Sequence, residues 1–335
     1  MAGSKPLEHR QYAHCESGVV TALLRHHSID ISEPMVFGIT GGLTFAYIPF
    51  IKMTNMPIVS YRMMPGSIIK GAVKNLDVTF KTQRYRDKEA ALAELIDLID
   101  LGEIVGLQTS VYWLPYFPPE MRFQFNAHNL IVYGREGVEF LVSDPVFEHT
   151  VRIKAEDLQN ARFARGTLAP KGFMYYPVQV NTSFDLQEAI KKSIKRTVHM
   201  MLYAPVPFIG VKGIHYMGRR IERLKTHKDL RYVRLFLGHI VRMQEEIGTG
   251  GGGFRFMYAA FLQEAGQILK SQRLEEASRM MTEAGDMWRQ FALACAKACK
   301  SKTANFDVED IARLVKKCAI QEKLVYSLLK TSPIQ

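Results

Sequence analysis

Apolar residues change their spacing along this chain near residue 182. Before that point, short continuous runs mix with helical repeats; beyond it, helical repeats dominate. Val19, Val20, Leu23 and Leu24 fall on one helical face that starts at Cys15, with Glu16 and Ser17 in the first turn. Lys88 to Leu101 carries Ala91, Leu92, Leu95, Ile96 and Ile99 at helical spacing, and Gly102 ends it. Ile104 to Val111 reads as a strand. Asn129 to Tyr133 and Val138 to Ser143 read as two more, joined by Gly134-Arg135-Glu136-Gly137 as a hairpin, and Phe173 to Val180 as another. An apolar, glycine-rich segment lies between, from Val36 to Tyr47.

From Asp185, a cap for a helix from Leu186 to about Tyr203, the pattern is helical throughout. Pro205 and Pro207 break that helix, and further helices are expected over 215–226, 229–247, 254–270, 273–299 and 307–330. Asp307 with Asp310 resembles a capping box with a shorter second acid. Gly248-Thr249-Gly250-Gly251-Gly252-Gly253 is read as a flexible connection between two helices. The expectation is an α+β domain over 1–181 followed by an all-helical domain over 182–335.

Composition narrows the setting. A chain of 335 residues can bury two cores, and 47% hydrophobic with 23% charged residues is ordinary for a globular protein. Four cysteines, three of them late, do not form a secreted disulfide framework, so a reducing cytoplasm is expected. Met1 to Arg10 lacks the apolar core of a signal peptide, and Leu43 to Ile51 is too short to span a bilayer, so no membrane span is expected.

The net charge of +11 is concentrated between Lys191 and Arg242, a field that attracts anionic partners. No zinc-finger spacing, RNP motif or helix-turn-helix accompanies it, so nucleic acid is set aside. An acidic protein partner and a solvated helix face remain. Cys295 and Cys299 lie one helical turn apart, but with Cys318 they supply three ligands. No histidine follows Asn305, so they are read as buried helix cysteines and no metal is expected. The glycine run is no phosphate loop, because Phe254-Arg255 follows it rather than Lys-Ser/Thr.

The candidate chemistry lies in the first half. Cys15 is the only cysteine before residue 295 and stands where a helix begins, in His14-Cys15-Glu16-Ser17-Gly18. Unpaired N–H groups and the helix dipole favour a thiolate there, although free cysteines are also often simply buried. A cysteine nucleophile needs a base and a group to orient that base. His128 stands at the start of an apolar strand. Asp144 ends the next one, in Val142-Ser143-Asp144-Pro145. An antiparallel hairpin brings those two ends together, and Pro145 stops the pairing.

The order Cys15, His128, Asp144 is that of papain-like cysteine enzymes. More closely, His14 to Gly18, Phe37-Gly38-Ile39-Thr40-Gly41-Gly42-Leu43-Thr44-Phe45-Ala46-Tyr47 and His128…Asp144-Pro145 resemble the N-terminal domain of butirosin biosynthesis protein H. Gly248 to Ala259 resembles the helical domain of unknown function often joined to it. The resemblance implies a papain-like fold related to bacteriocin-processing cysteine peptidases. It also implies an acyltransferase of natural-product or lipid biosynthesis that moves an acyl or aminoacyl group from an acyl-carrier-protein thioester. Cys15 attacks the thioester and forms an acyl-enzyme, His128 moves the protons, and Asp144 holds the His128 tautomer. The partners implied are an acidic acyl carrier protein and a small-molecule amine or hydroxyl acceptor. No cofactor is implied, the substrate being carried on the partner's phosphopantetheine.

For the oxyanion, the Cys15 backbone N–H is one donor. Gln11, four residues before the cysteine where papain-like enzymes place their glutamine further back, His14 and Asn129 are considered for oxyanion or substrate contact. Gly41 and Gly42 suit either a passage for a pantetheine arm or a tight turn. Trp113, Tyr116 and Phe117 suit either an acceptor-pocket wall or simple packing. A cysteine amidohydrolase or peptidase with the same triad, and a non-catalytic carrier-binding scaffold, stand as alternatives. The helical domain is open to two roles, shaping the acceptor site or forming a homodimer.

Overall fold

The computed structural model describes residues 6–53, 55–301 and 307–331. In chain order these form α1 (Cys15–His26), α2 (Glu33–Ile39), β1 (Leu43–Met53), β2 (Met56–Arg62), α3 (Ser67–Asn75), β3 (Val78–Gln83), α4 (Lys88–Asp100), β4 (Val105–Thr109), β5 (His128–Glu136), β6 (Glu139–Ser143), β7 (Val151–Lys154), α5 (Ala155–Arg162) and β8 (Met174–Val180). Six helices follow: α6 (Leu186–Tyr203), α7 (Gly210–Glu222), α8 (Leu230–Val241), α9 (Arg255–Ile268), α10 (Gln272–Lys300) and α11 (Val308–Lys330).

The chain divides into two compact units, Met1–Val36 with Ile68–Phe184, and Phe37–Ser67 with Asp185–Gln335. This corrects the serial division at 181/182, because residues 37–67 belong with the helices. The reason is burial. β1 and β2 pair as an antiparallel hairpin whose inward rings pack on helical partners. Tyr47 meets Tyr216 and Phe236 edge-on, and Phe45 and Tyr61 lie against Trp288.

The first unit is built on a six-stranded sheet in the order β3-β8-β4-β5-β6-β7, every neighbour antiparallel. Alternation along β5 sends Leu130 and Val132 into a core with Val105, Leu107, Val142 and Met174, closed by Leu95 and Ile99 of α4 and Leu158 of α5. Asn129 and Ile131 turn to the other face, against which α1 packs. Asp87 caps α4, accepting from the Glu89 and Ala90 N–H groups.

The core of the second unit surrounds Trp288 and a fully buried ion pair. Arg255 donates to Glu322 through Nε (2.9 Å) and a terminal nitrogen (3.1 Å), and the Trp288 indole N–H adds a third bond to Glu322 at 2.6 Å. The glycine run is a packed turn rather than the flexible connection expected. Gly250 to Gly253 all have positive φ, and a Cβ on Gly253 would lie 2.4 Å from the Tyr61 ring.

Candidate active site

Cys15 is the first residue of α1, and its approach is tied down from several sides. His14 has extended backbone (φ −140°, ψ 135°), and its Nδ1 accepts the Ser17 N–H at 3.2 Å as the cap. Glu33 accepts from the Ala13 N–H (2.8 Å), the His14 N–H (2.9 Å) and the Ser17 hydroxyl (2.7 Å). Burial pushes the Glu33 carboxyl up, and those three donors oppose the shift. Glu16, fully buried, accepts the Ile68 N–H at 3.0 Å.

The segment before Cys15 also runs beside the turn that carries Asp144. The Tyr12 N–H donates to Pro145 O (2.9 Å), and His9 Nδ1 lies 2.7 Å from the Ser143 hydroxyl. Gly18 permits this approach: a Cβ there would lie 2.6 Å from Tyr12 Cβ and 3.1 Å from Pro145 Cβ.

His128 opens β5, and β5 pairs with β6 so that Ile131 faces Ser143. By that register the next residue, Asp144, falls nearest Leu130, two residues from His128, and its carboxylate reaches the imidazole. His128 Nε2 donates to Asp144 Oδ2 at 2.7 Å, with the carboxylate fully buried and His128 only 3% exposed. Tyr116 donates its hydroxyl to the same oxygen at 2.8 Å, and the Val146 N–H donates to Oδ1 at 3.0 Å. Burial and the Asp144 charge hold Tyr116 in its protonated form. Phe117 packs edge-on to the imidazole at 5.5 Å.

Nε2 is committed to Asp144, which leaves Nδ1 as the ring atom for Cys15. Burial opposes the imidazolium, but the Asp144 charge and hydrogen bond, joined by a hydrogen bond with Cys15, outweigh it and raise the His128 pKa. Cys15 is 7% exposed, with Sγ 3.9 Å from Ala127 O and 4.0 Å from Asn129 Nδ2. A sulfur at a helix N-terminus, an imidazole and a carboxylate thus stand in series. That arrangement can take a proton from a thiol and hold the resulting charges.

The structure brings His14 and Asn129 to this place as well. Gln11 does not join them: it is exposed, and its amide donates to Val146 O (2.9 Å) in the turn after Asp144. Gly41 and Gly42 lie in the other unit. There Gly41 takes φ 68° beside the Arg196 side chain, and the Phe37 ring fills the space a Gly42 Cβ would need. In the aromatic loop, Tyr116 and Phe117 serve Asp144 and His128 directly, whereas Trp113 is 42% exposed.

Glu33, and Tyr116 as a donor to Asp144, escaped the sequence reading. Their roles depend on contacts between distant segments, and only the aromatic character of the loop gave a signal for Tyr116. Cys295 and Cys318 are buried in the helical unit and Cys299 donates to Arg234 O at 3.3 Å. Among the described residues, no group of three or more His, Cys, Asp or Glu side chains could hold a metal ion. No helix among them is long and apolar enough to cross a membrane.

The fold and this arrangement define an α+β sheet domain that carries a Cys-His-Asp series, joined to a helical region. The family model for the butirosin biosynthesis protein H N-terminal domain matches residues 14–145, and that for a domain of unknown function (DUF4872) matches residues 156–329. The chain belongs to the butirosin biosynthesis protein H family. The second match begins inside the first compact unit, since α5 and β8 complete the sheet domain. Among solved structures, a protein described as a C39-like peptidase from Bacillus anthracis aligns at 13% identity and a TM-score of 0.38. The alignment covers 52% of this chain and 94% of that one. No curated protein matches the chain.

Proposed function

We propose that the protein is an acyltransferase that takes an acyl or aminoacyl group from the phosphopantetheine thioester of an acyl carrier protein and passes it to an amine or hydroxyl acceptor. The observation that carries this reading is the 2.7 Å bond between His128 and Asp144 beside a cysteine at a helix N-terminus. Cys15 is the nucleophile. Its thiolate attacks the thioester carbonyl, and the carbonyl oxygen takes up charge facing the Cys15 N–H at the start of α1. The C–S bond to pantetheine breaks, and His128 gives its proton to the departing thiolate. The acceptor amine then attacks the Cys15 thioester while His128 removes its proton, and the Cys15 thiolate is regenerated. Asp144 holds the imidazole in one tautomer throughout.

An acidic carrier fits a chain of net charge +11 whose α6–α8 region exposes Lys192, Lys195, Arg219, Arg223 and Arg231. The test is the intact mass of the protein after exposure to acyl-carrier thioesters, with Cys15→Ala as the control. The expected result is one acyl adduct, lost in Cys15→Ala and discharged by an amine. An adduct discharged by water alone would assign a hydrolase instead. Persistence of the adduct in Cys15→Ala would overturn the mechanism.

A further inference from the structure

Beneath the nucleophile lies a second polar chain that this mechanism does not use. Asn129 is buried, at 4% exposure, on the face of β5 that receives α1. Its Nδ2 donates to Ala127 O at 3.1 Å and lies 4.0 Å from Cys15 Sγ, while its Oδ1 accepts the Tyr175 hydroxyl at 2.9 Å. The amide has only one workable orientation. A carbonyl only accepts, so the NH2 group must face Ala127 O, and that same side faces the sulfur. The Tyr175 hydroxyl then meets the amide oxygen as a donor. Tyr175 is fully buried, and burial, with Glu16 and Cys15 nearby, keeps it a phenol. Its ring sits where a side chain on Gly106 would be, since a Cβ there would lie 2.6 Å from the ring. A phenylalanine would fill this space equally well, so the hydroxyl has another task.

We propose that Tyr175 locks the Asn129 amide so that an N–H stays aimed at the Cys15 sulfur and stabilises its thiolate. Asn129 touches the reacting atom, and Tyr175 is a positioning residue that acts through it. The proposal rests on the reading of Cys15 as the nucleophile, but its test needs no acyl donor.

The experiment is the pH–rate profile of Cys15 alkylation by iodoacetamide in the full chain, followed by mass, with thermal melting as the control for folding. Asn129→Ala should move the midpoint to higher pH and lower the rate at pH 7 roughly tenfold, with the high-pH plateau unchanged. Tyr175→Phe keeps the ring and should shift the midpoint in the same direction, lowering the rate about threefold to fivefold. It carries the test alone if Asn129→Ala does not fold. Wild-type midpoints in the folded variants would overturn the proposal while leaving Cys15 as nucleophile. A wild-type Cys15 that alkylates no faster than Cys299 would overturn both.

Discussion

Asp144→Asn is the most informative single change, because three donors meet that carboxylate and an amide cannot satisfy all of them. Oδ2 accepts from His128 Nε2 and the Tyr116 hydroxyl, and Oδ1 from the Val146 N–H. If the substituted amide keeps its oxygen at the Oδ2 position, the NH2 group faces the Val146 N–H, donor against donor. If it flips, the NH2 faces His128 Nε2, which must then give up its proton. The other tautomer puts the proton on Nδ1, toward Cys15, where it cannot serve as a base. In either orientation the charge that outweighs burial and raises the His128 pKa is gone.

The side chains are buried, so solvent screens little of the loss. One hydrogen bond to a charged group contributes about 1.5–3 kcal/mol. Cys15 alkylation at pH 7 should therefore slow by roughly ten- to a hundredfold, since about 1.36 kcal/mol is a factor of ten. Acyl-adduct formation should slow at least as much. The assay is single-turnover alkylation and acylation followed by mass, with melting to confirm folding. A folded variant whose two rates stay within about threefold of wild type would refute the coupling of Asp144 to Cys15 through His128.

Other consequences are simpler to read. The His128 pKa is raised in the fold above its ordinary 6.5, so its contribution to stability is complete below that pH and is lost as pH climbs through the folded value. Melting temperature should therefore fall across the alkaline range in wild type and fall less in Asp144→Asn; parallel curves would contradict this. Glu33→Gln retains one acceptor oxygen for three donors, and should cost about 1–3 kcal/mol in denaturant unfolding while slowing Cys15 alkylation. Glu322→Gln strands the fully buried Arg255 guanidinium and should cost about 3–5 kcal/mol; a loss under about 1 kcal/mol would show that the pair is not structural.

Features set by neighbours in sequence were legible in it. The apolar repeat after Cys15 is α1, with its start at that residue, and Asp185 and Asp307 do cap α6 and α11. His128 and Asp144 could be paired on paper because they occupy two ends of one hairpin, where strand register fixes proximity. Features set by distant segments were not legible. The apolar stretch from Leu43 gave no sign that its strand would pair with Met56–Arg62 and bury Phe45 and Tyr61 against Trp288, 227 residues or more away. Glu33 sits in an ordinary helix start, and only the folded chain shows its carboxylate holding the backbone before Cys15. The glycine run looked flexible because composition says nothing of the Tyr61 ring that fills the space beside Gly253.

The tethers around α1 explain how a helix terminus can hold the Cys15 side chain still. A first turn lacks internal partners for its N–H groups and tends to fray, which would let Cys15 drift from His128. Here the backbone three residues before Cys15 bonds to the carbonyl one residue after Asp144, through Tyr12 N–H and Pro145 O. Cys15 and Asp144 are therefore positioned by one short stretch of main chain, and the His128 imidazole spans the gap between them. Gly18 sets how close that stretch lies to α1, since any side chain there meets both Tyr12 and Pro145. Gly18→Ala leaves every candidate chemical group in place, yet it must push α1 away from the Asp144 turn by several tenths of an ångström or more. Positioning errors of that order are costly when groups must meet at hydrogen-bond distance. The variant should thus lose Cys15 reactivity out of proportion to its loss of stability, whereas equal losses of both would mean that the close approach serves only packing.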